Sequence, residues 1–206
     1  MIAGKSEGMH KILPLILIVG TFATGLRGDS QLNPIFNGID LGGWQAPDKD
    51  QFWRVEDGVL VGESVAGLKE SYLWTEKSYG DFMLEFEVRW TGEIDSGVEM
   101  RNPRLQLQIG VSRSLKRDMT GSFYVGKPGY PDEAQAKTVA QLLHPEGQWN
   151  HFRLEAKGPT FTVWINGQLA SQYTDPKFSG AAPLGLQIHG GLKMKVEYRR
   201  LRLAER

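Results

Sequence analysis

Phe82, Leu84, Phe86, Val88 and Trp90 alternate with Met83, Glu85, Glu87 and Arg89. A helix cannot keep such a pattern on one face. A period of two belongs to a strand with one face in a core and the other on water or a site. The alternation resumes after residues 91–96, with Val98 and Met100 on one side and Glu99 and Arg101 on the other. If the two stretches are neighbouring antiparallel strands, Glu85, Glu87, Arg89, Glu99 and Arg101 gather on one polar surface. A plain solvated sheet face reads the same way.

The same period recurs along the chain. Leu105, Leu107 and Ile109 alternate with Gln106 and Gln108. Phe152, Leu154 and Ala156 alternate with Arg153, Glu155 and Lys157. Leu184, Leu186 and Ile188 alternate with Gly185, Gln187 and His189. Asp57-Gly58 and Asn166-Gly167 separate pairs of such runs, as two-residue hairpin turns do, and Asn37-Gly38 is a third turn signal. The phase slips at Arg199-Arg200, which predicts a bulge. Tyr72-Leu73-Trp74 reads as a short strand and residues 120–124 as another. Residues 126–131 read as loop, and 132–143 as either a helical turn or two or a surface loop. About a dozen short strands without a repeat, punctuated by 25 glycines and 10 prolines, predict an all-β, two-sheet antiparallel sandwich of jelly-roll type. A chain of 206 residues holds one such domain with a substantial core.

Composition removes several classes of function. Lys and Arg number 24, Asp and Glu 24, and no basic run stands out, so nothing favours nucleic acid as a partner. The absence of cysteine excludes disulfides, thiolate metal sites, a cysteine nucleophile and a lipid-modified cysteine. Lys5, His10 and Lys11 precede an apolar run from Ile12 to Val19, and small residues follow to Gly25. The apolar run is too short for a comfortable membrane span, so residues 1–29 read as a signal peptide cleaved between Ala23 and Ser30, with an uncleaved anchor as the alternative. The expectation is an exported domain over residues 30–206, periplasmic or extracellular, with no stable membrane span once the leader is removed.

A set of landmarks in register adds a resemblance. They begin with Phe36-Asn37-Gly38, Asp40-Leu41 and Gly43-Trp44, then Trp53, Val55-Glu56-Asp57-Gly58-Val59-Leu60 and Gly80-Asp81-Phe82. Asp95-Ser96-Gly97 with Arg101, Thr120-Gly121 with Tyr124, and Gly147 with Trp149-Asn150 follow. Trp164 with Asn166-Gly167, and Gly185-Leu186-Gln187 with His189-Gly190, complete the set. In order and spacing the chain resembles the 3-keto-disaccharide hydrolase domain family of exported bacterial proteins, over about residues 33–205. The resemblance implies a concanavalin A-like sandwich acting on glycosides or oligosaccharides whose sugar carries a ketone at C3. Members of that family often carry Asp in the slot of Ile188 and Glu in the slot of Gln106, and this chain departs at both.

A C3 ketone acidifies the C2 proton, so that a base can remove it and the C1 substituent can leave by β-elimination, with water adding afterwards. Such a route needs a group titrating near neutrality, a donor for the enolate oxygen and an acid for the leaving oxygen. His189, of a type whose ordinary pKa is about 6.5, suits the first role. Glu99 or Glu87 is the second acid or base. Arg101, Gln108 and Gln187 are donors, and Asp95, Tyr124 and Trp164 complete the substrate-binding set. A structural histidine, a turn closed by Asp95 and a tryptophan filling the back of the sheet are the plainer readings of His189, Asp95 and Trp164. His10, His144 and His151 are poorer candidates, lying in the leader, a loop and among strand residues.

Two rivals stand beside this chemistry. Glu85 and Glu87, two apart on one strand, approach the roughly 5–9 Å separation of glycosidase carboxyl pairs. A carbohydrate-binding module without catalysis needs only an aromatic platform and amides, and jelly rolls host both kinds of protein. No cofactor is indicated. A divalent metal held by His189 with Glu99 or Asp95 would draw on non-contiguous ligands, so spacing cannot support it.

Overall fold

The structure, a computed structural model, describes residues 31–47, 52–64 and 69–206 together with Met1, Gly4 and Gly67. The expected leader and its cleavage region lie outside these described residues. Among the described residues fifteen strands follow in order: β1 (Asn33–Pro34), β2 (Trp44–Gln45), β3 (Trp53–Glu56), β4 (Val59–Ser64), β5 (Ser71–Tyr79), β6 (Phe82–Trp90), β7 (Asp95–Met100) and β8 (Leu105–Ser112). After them come β9 (Arg117–Asp118), β10 (Phe123–Tyr124), β11 (Asn150–Lys157), β12 (Thr160–Ile165), β13 (Gln168–Thr174), β14 (Ala182–Ile188) and β15 (Met194–Glu205). Between β10 and β11 lie a 3₁₀ turn, Asp132–Ala134, and a single helical turn, α1 (Val139–Leu142).

Among the described residues the strands form two sheets, every pairing antiparallel. The first runs β13-β12-β11-β6-β15-β4-β3, with β1 on β15. The second runs β10-β8-β7-β14-β5-β2, with β9 on β8. The jelly-roll sandwich expected from the alternation is the fold observed.

The core lies between the sheets and takes the inward half of each alternation. Phe82, Leu84, Phe86 and Val88 of β6 meet Val98, Leu107, Leu186 and Ile188 of the second sheet, all buried. Phe86 stacks on Phe152 of the neighbouring strand with ring centroids 5.3 Å apart. Polar links also cross the core, Trp53 Nε1 on β3 donating to Ser71 Oγ on β5 at 3.0 Å among them. Ser96 Oγ on β7 donates to the Gln187 carbonyl at 2.7 Å and lies 3.1 Å from the Tyr198 hydroxyl on β15. Because Ser96 has given its proton to the carbonyl, Tyr198 is the donor in the second bond.

The hairpins follow their turn residues. Asp57 and Gly58 take φ of 49° and 78°, and Asn166 and Gly167 take 50° and 81°, the paired positive values of a type I′ turn. At Asn37-Gly38 only the glycine takes a positive φ, and Asn37 Oδ1 accepts from the amides of Ile39 and Asp40. The predicted bulge on β15 is present as a register shift between Arg199 and Arg202. The predicted strand over 120–124 shrinks to two residues, because Gly121 at φ 80° turns the chain before it.

One expectation is corrected here. β6 and β7 are not neighbours; they belong to opposite sheets. Residues 91–94 carry the chain across the sandwich edge instead of reversing it in plane. Ile94 is buried there, and its carbonyl accepts from Val111. Gly110, with φ 94°, permits the approach, since a Cβ at that position would lie 2.3 Å from the Ile94 oxygen. The polar faces of β6 and β7 therefore point to opposite sides of the molecule. No helix among the described residues is long and apolar enough to cross a membrane.

Candidate active site

The outer face of the second sheet carries a cavity of about 330 Å³, floored by β5, β14, β7 and β8 and within the usual small-molecule range of about 300–1,000 Å³. The register places its floor. Gln187 stands opposite Tyr72 on one side and Gly97 on the other; Gly97 in turn faces Gln108, and Glu99 faces Gln106. A Cβ on Gly97 would fall 2.5 Å from the Gln106 amide nitrogen. Bare backbone there lets the Gln106 side chain lie across β7.

Gln106 uses that space to join two amides. Its Nε2 donates to Gln108 Oε1 at 3.0 Å and to Gln187 Oε1 at 2.8 Å. Gln108 Nε2 donates to Asp95 Oδ1 at 2.8 Å, and Gln187 Nε2 to the Tyr72 hydroxyl at 2.9 Å. The Tyr72 hydroxyl donates to Glu70 Oε2 at 3.1 Å, and Tyr130 donates to Gln108 Oε1 at 2.8 Å. Burial raises the pKa of Tyr72 and of Tyr130, so both stay protonated donors. The chain of bonds holds a polar floor in one arrangement.

Glu99 sits at one end of this floor, 6 % exposed. Its Oε2 is buried without a hydrogen bond; Arg104 Nε approaches to 3.4 Å but is not aligned to donate. Burial raises the Glu99 pKa, and the Arg104 charge offsets part of that rise. Arg104 lies over the rings of Tyr72 and Trp74, which stack with centroids 5.4 Å apart. Trp74 in turn covers Gly185, where a Cβ would meet the indole at 2.4 Å.

His189 marks the other end. Its backbone N–H donates to the Asp95 carbonyl at 3.2 Å, which sets it opposite Asp95, about 13 Å along β7 from Glu99 at roughly 3.3 Å per residue. Its Nδ1 lies 2.8 Å from the Gly190 carbonyl, an acceptor only, so Nδ1 carries the proton and Nε2 is the free basic nitrogen of the neutral ring. Asp95 is fixed by Gln108 and by the Arg113 amide at 3.1 Å, and Arg113 and Tyr124 also line the cavity.

The structure thus brings together His189, Glu99, Asp95, Gln108, Gln187 and Tyr124 and sets Glu87, Glu85, Trp164 and Arg101 apart. Glu87 is on the outer face of the other sheet, paired with Arg199 and Arg200. Glu85 is beside it, bound to Arg202 at 3.0 Å with His151 at 3.7 Å, so the pair is neutralised far from the cavity. Trp164 shares that back face, under the Arg153 guanidinium at 5.3 Å. Arg101 is buried at the sandwich edge, donating to Asp81 at 2.9 Å and to the Gly158 carbonyl at 3.1 Å. Its φ of 67° takes it out of the strand alternation that would have aimed it at the cavity.

The two departures from the family pattern have different meanings. Ile188 faces the core, fully buried, so a carboxylate in that slot would not reach this cavity. Gln106 is the hub of the amide chain, and a carboxylate in its place would have no hydrogen to give two carbonyl oxygens. Among the described residues, no group of three His, Asp or Glu side chains is placed to hold a metal ion.

Tyr72, Trp74, Arg104, Arg113 and Tyr130 are site residues that sequence reasoning missed. The alternation of Tyr72 and Trp74 around Leu73 was a usable signal. Arg104, Arg113 and Tyr130 lie in turns and a loop, where no periodicity points them anywhere.

An antiparallel sandwich with a polar cleft on one outer face places the molecule among the jelly rolls of the lectin and glucanase kind. A candidate glycosyl hydrolase from Parabacteroides distasonis matches with a TM-score of 0.63 at 20 % identity, over 85 % of this chain and 94 % of its own. A Bacillus licheniformis β-glucanase matches at 0.65 and 13 % identity, over 87 % and 100 %. The carbohydrate binding module CBM66 from Bacillus subtilis matches at 0.57 and 16 %, over 79 % and 96 %. No curated protein sequence matches the chain significantly. The sequence signature of the 3-keto-alpha-glucoside-1,2-lyase-like domain matches residues 31–204, and the chain belongs to that family. Its function is carbohydrate-related.

Proposed function

We propose that this protein cleaves 3-keto-glycosides by β-elimination across C1 and C2. The observation that carries the reading is the cavity with two acid–base groups of different kind at its ends. Glu99 is a buried carboxyl with an unsatisfied oxygen and a raised pKa, and His189 is an imidazole whose free nitrogen is the basic one.

The C2–H bond breaks, and His189 Nε2 takes the proton. The electron pair moves into an enolate on the C3 oxygen, for which Arg113 at the same end is the available cation. The enolate then reforms the ketone as C1=C2 forms and the C1–O bond breaks, and the leaving oxygen takes a proton from Glu99. The product is a conjugated enone, to which water can add at C1. The amides of the floor suit sugar hydroxyls, which both donate and accept.

A second reading has its own support. Tyr72 and Trp74 stacked beside an amide floor also make a sugar platform for a binding module that does no chemistry. Incubating the protein with a 3-keto glycoside and with its unoxidised parent separates the two. Release of aglycone and growth of an enone absorbance from the oxidised sugar alone is the expected result. Equal cleavage of the parent would move the mechanism to ordinary hydrolysis, and binding of either without cleavage would make the protein a binding module.

A further inference from the structure

The Tyr72–Trp74 stack is a wall with a second cleft behind it. That cleft, about 320 Å³, is lined by Trp74, Arg104, Ala181, Ala182 and Pro183, with Arg101 and Asn102 at its end. Its chemistry differs from that of the amide-floored cavity. The near side is carbon: an indole, two alanines and a proline ring. Its polar members are chiefly guanidinium groups, one of them spent on Asp81. A second sugar would find few partners for its hydroxyls here, whereas a planar apolar group would find an aromatic wall and a cation.

Arg104 ties the two clefts together. It is 64 % exposed, lies 5.0 Å over Trp74 and 5.7 Å over Tyr72, and brings its Nε to 3.4 Å from Glu99 Oε2 without a hydrogen bond. It therefore stands where a C1 substituent would cross from Glu99 into the second cleft.

We propose that this cleft is the subsite for the leaving group, and that the leaving group it takes is phenolic. The inference rests on the elimination reading above. In the step concerned the C1–O bond breaks and its electron pair goes to the aryl oxygen. The C2 proton has gone to His189, C1=C2 closes, and no oxidant or reductant is needed. Negative charge grows on the phenolic oxygen beside Arg104 while the ring lies against Trp74.

The test uses the full chain and two variants, Trp74→Ala and Ala181→Asp, the second at an exposed position where folding is not at risk. Binding of unoxidised 4-nitrophenyl glucoside and methyl glucoside is measured by calorimetry, and kcat/KM on the 3-keto forms of a 4-nitrophenyl glucoside and a disaccharide. The wild type is expected to bind the aryl glucoside about tenfold more tightly than the methyl one, the scale of one aromatic contact. Each variant is expected to lose that margin and to lower kcat/KM on the aryl substrate about tenfold more than on the disaccharide. Comparing variant with wild type on each substrate cancels the intrinsic ease with which a phenol leaves. Equal affinity for the two glucosides in the wild type, or equal losses on both 3-keto substrates, would overturn the subsite. If neither 3-keto substrate is cleaved, the elimination reading falls, and the binding pair alone decides whether the cleft takes an aryl group.

Discussion

Glu99 combines a cost to the fold with a use in the site. In the unfolded chain its carboxylate is fully hydrated. In the folded protein it is buried with one oxygen unsatisfied, and its pKa is raised. Between the unfolded and folded pKa values the native state binds more protons, so stability falls as pH rises through that interval. Glu99→Gln removes the ionisation. At pH 7 it should raise stability by about 1 kcal/mol, the scale of one unsatisfied buried polar atom. Below the unfolded pKa, about pH 4, that gain should vanish. The same variant should lose turnover about a hundredfold. Urea unfolding at both pH values checks the sign; a variant less stable at pH 7 would mean that the carboxylate is well solvated. Strand parity placed Glu99, Gln108, Gln187 and His189 on one polar face, because each alternates with a core residue. The same rule misassigned Glu87, since parity names a face and not the sheet it belongs to.

At the scale of elements, Arg101 shows how a site-like residue becomes structural. It ends β7, turns at a positive φ, and joins Asp81 before β6 to Gly158 after β11. Asp81 also accepts from the Gly158 amide at 2.9 Å, so the arginine closes a three-way tie between the sheets. Asp81 keeps 36 % of its side chain in water, which places the loss on Arg101→Ala at about 2–3 kcal/mol, below the figure for a fully buried pair. Arg101→Lys should recover little, lacking the planar fork. Thermal or urea unfolding reads both; an Arg101→Ala protein of native stability that had lost turnover would return Arg101 to the site. The segment between β10 and β11 illustrates a different limit. Tyr130 reaches Gln108 from a loop set by Gly126 and Gly129, both at positive φ, and its sequence marks the loop without saying where it folds.

For the whole molecule, the sandwich was legible because nearly every long strand carries an uninterrupted alternation. The order of strands within the sheets was not legible. The crossing at 91–94 depends on Ile94 packing beside Gly110, a contact between residues sixteen positions apart. The separation of the two outer faces decides the function read from them: arginine–carboxylate pairs on one, an amide-floored cavity with Glu99 and His189 on the other. The central claim, elimination at that cavity, is tested most directly by running the reaction on a 3-keto glycoside in D₂O and reading C2 of the sugar product by NMR. The account predicts loss of the original C2 proton at the rate of cleavage, with deuterium at C2 wherever water has re-added, above a no-enzyme control and absent with His189→Ala. A product that keeps its C2 proton while the aglycone is released would contradict it.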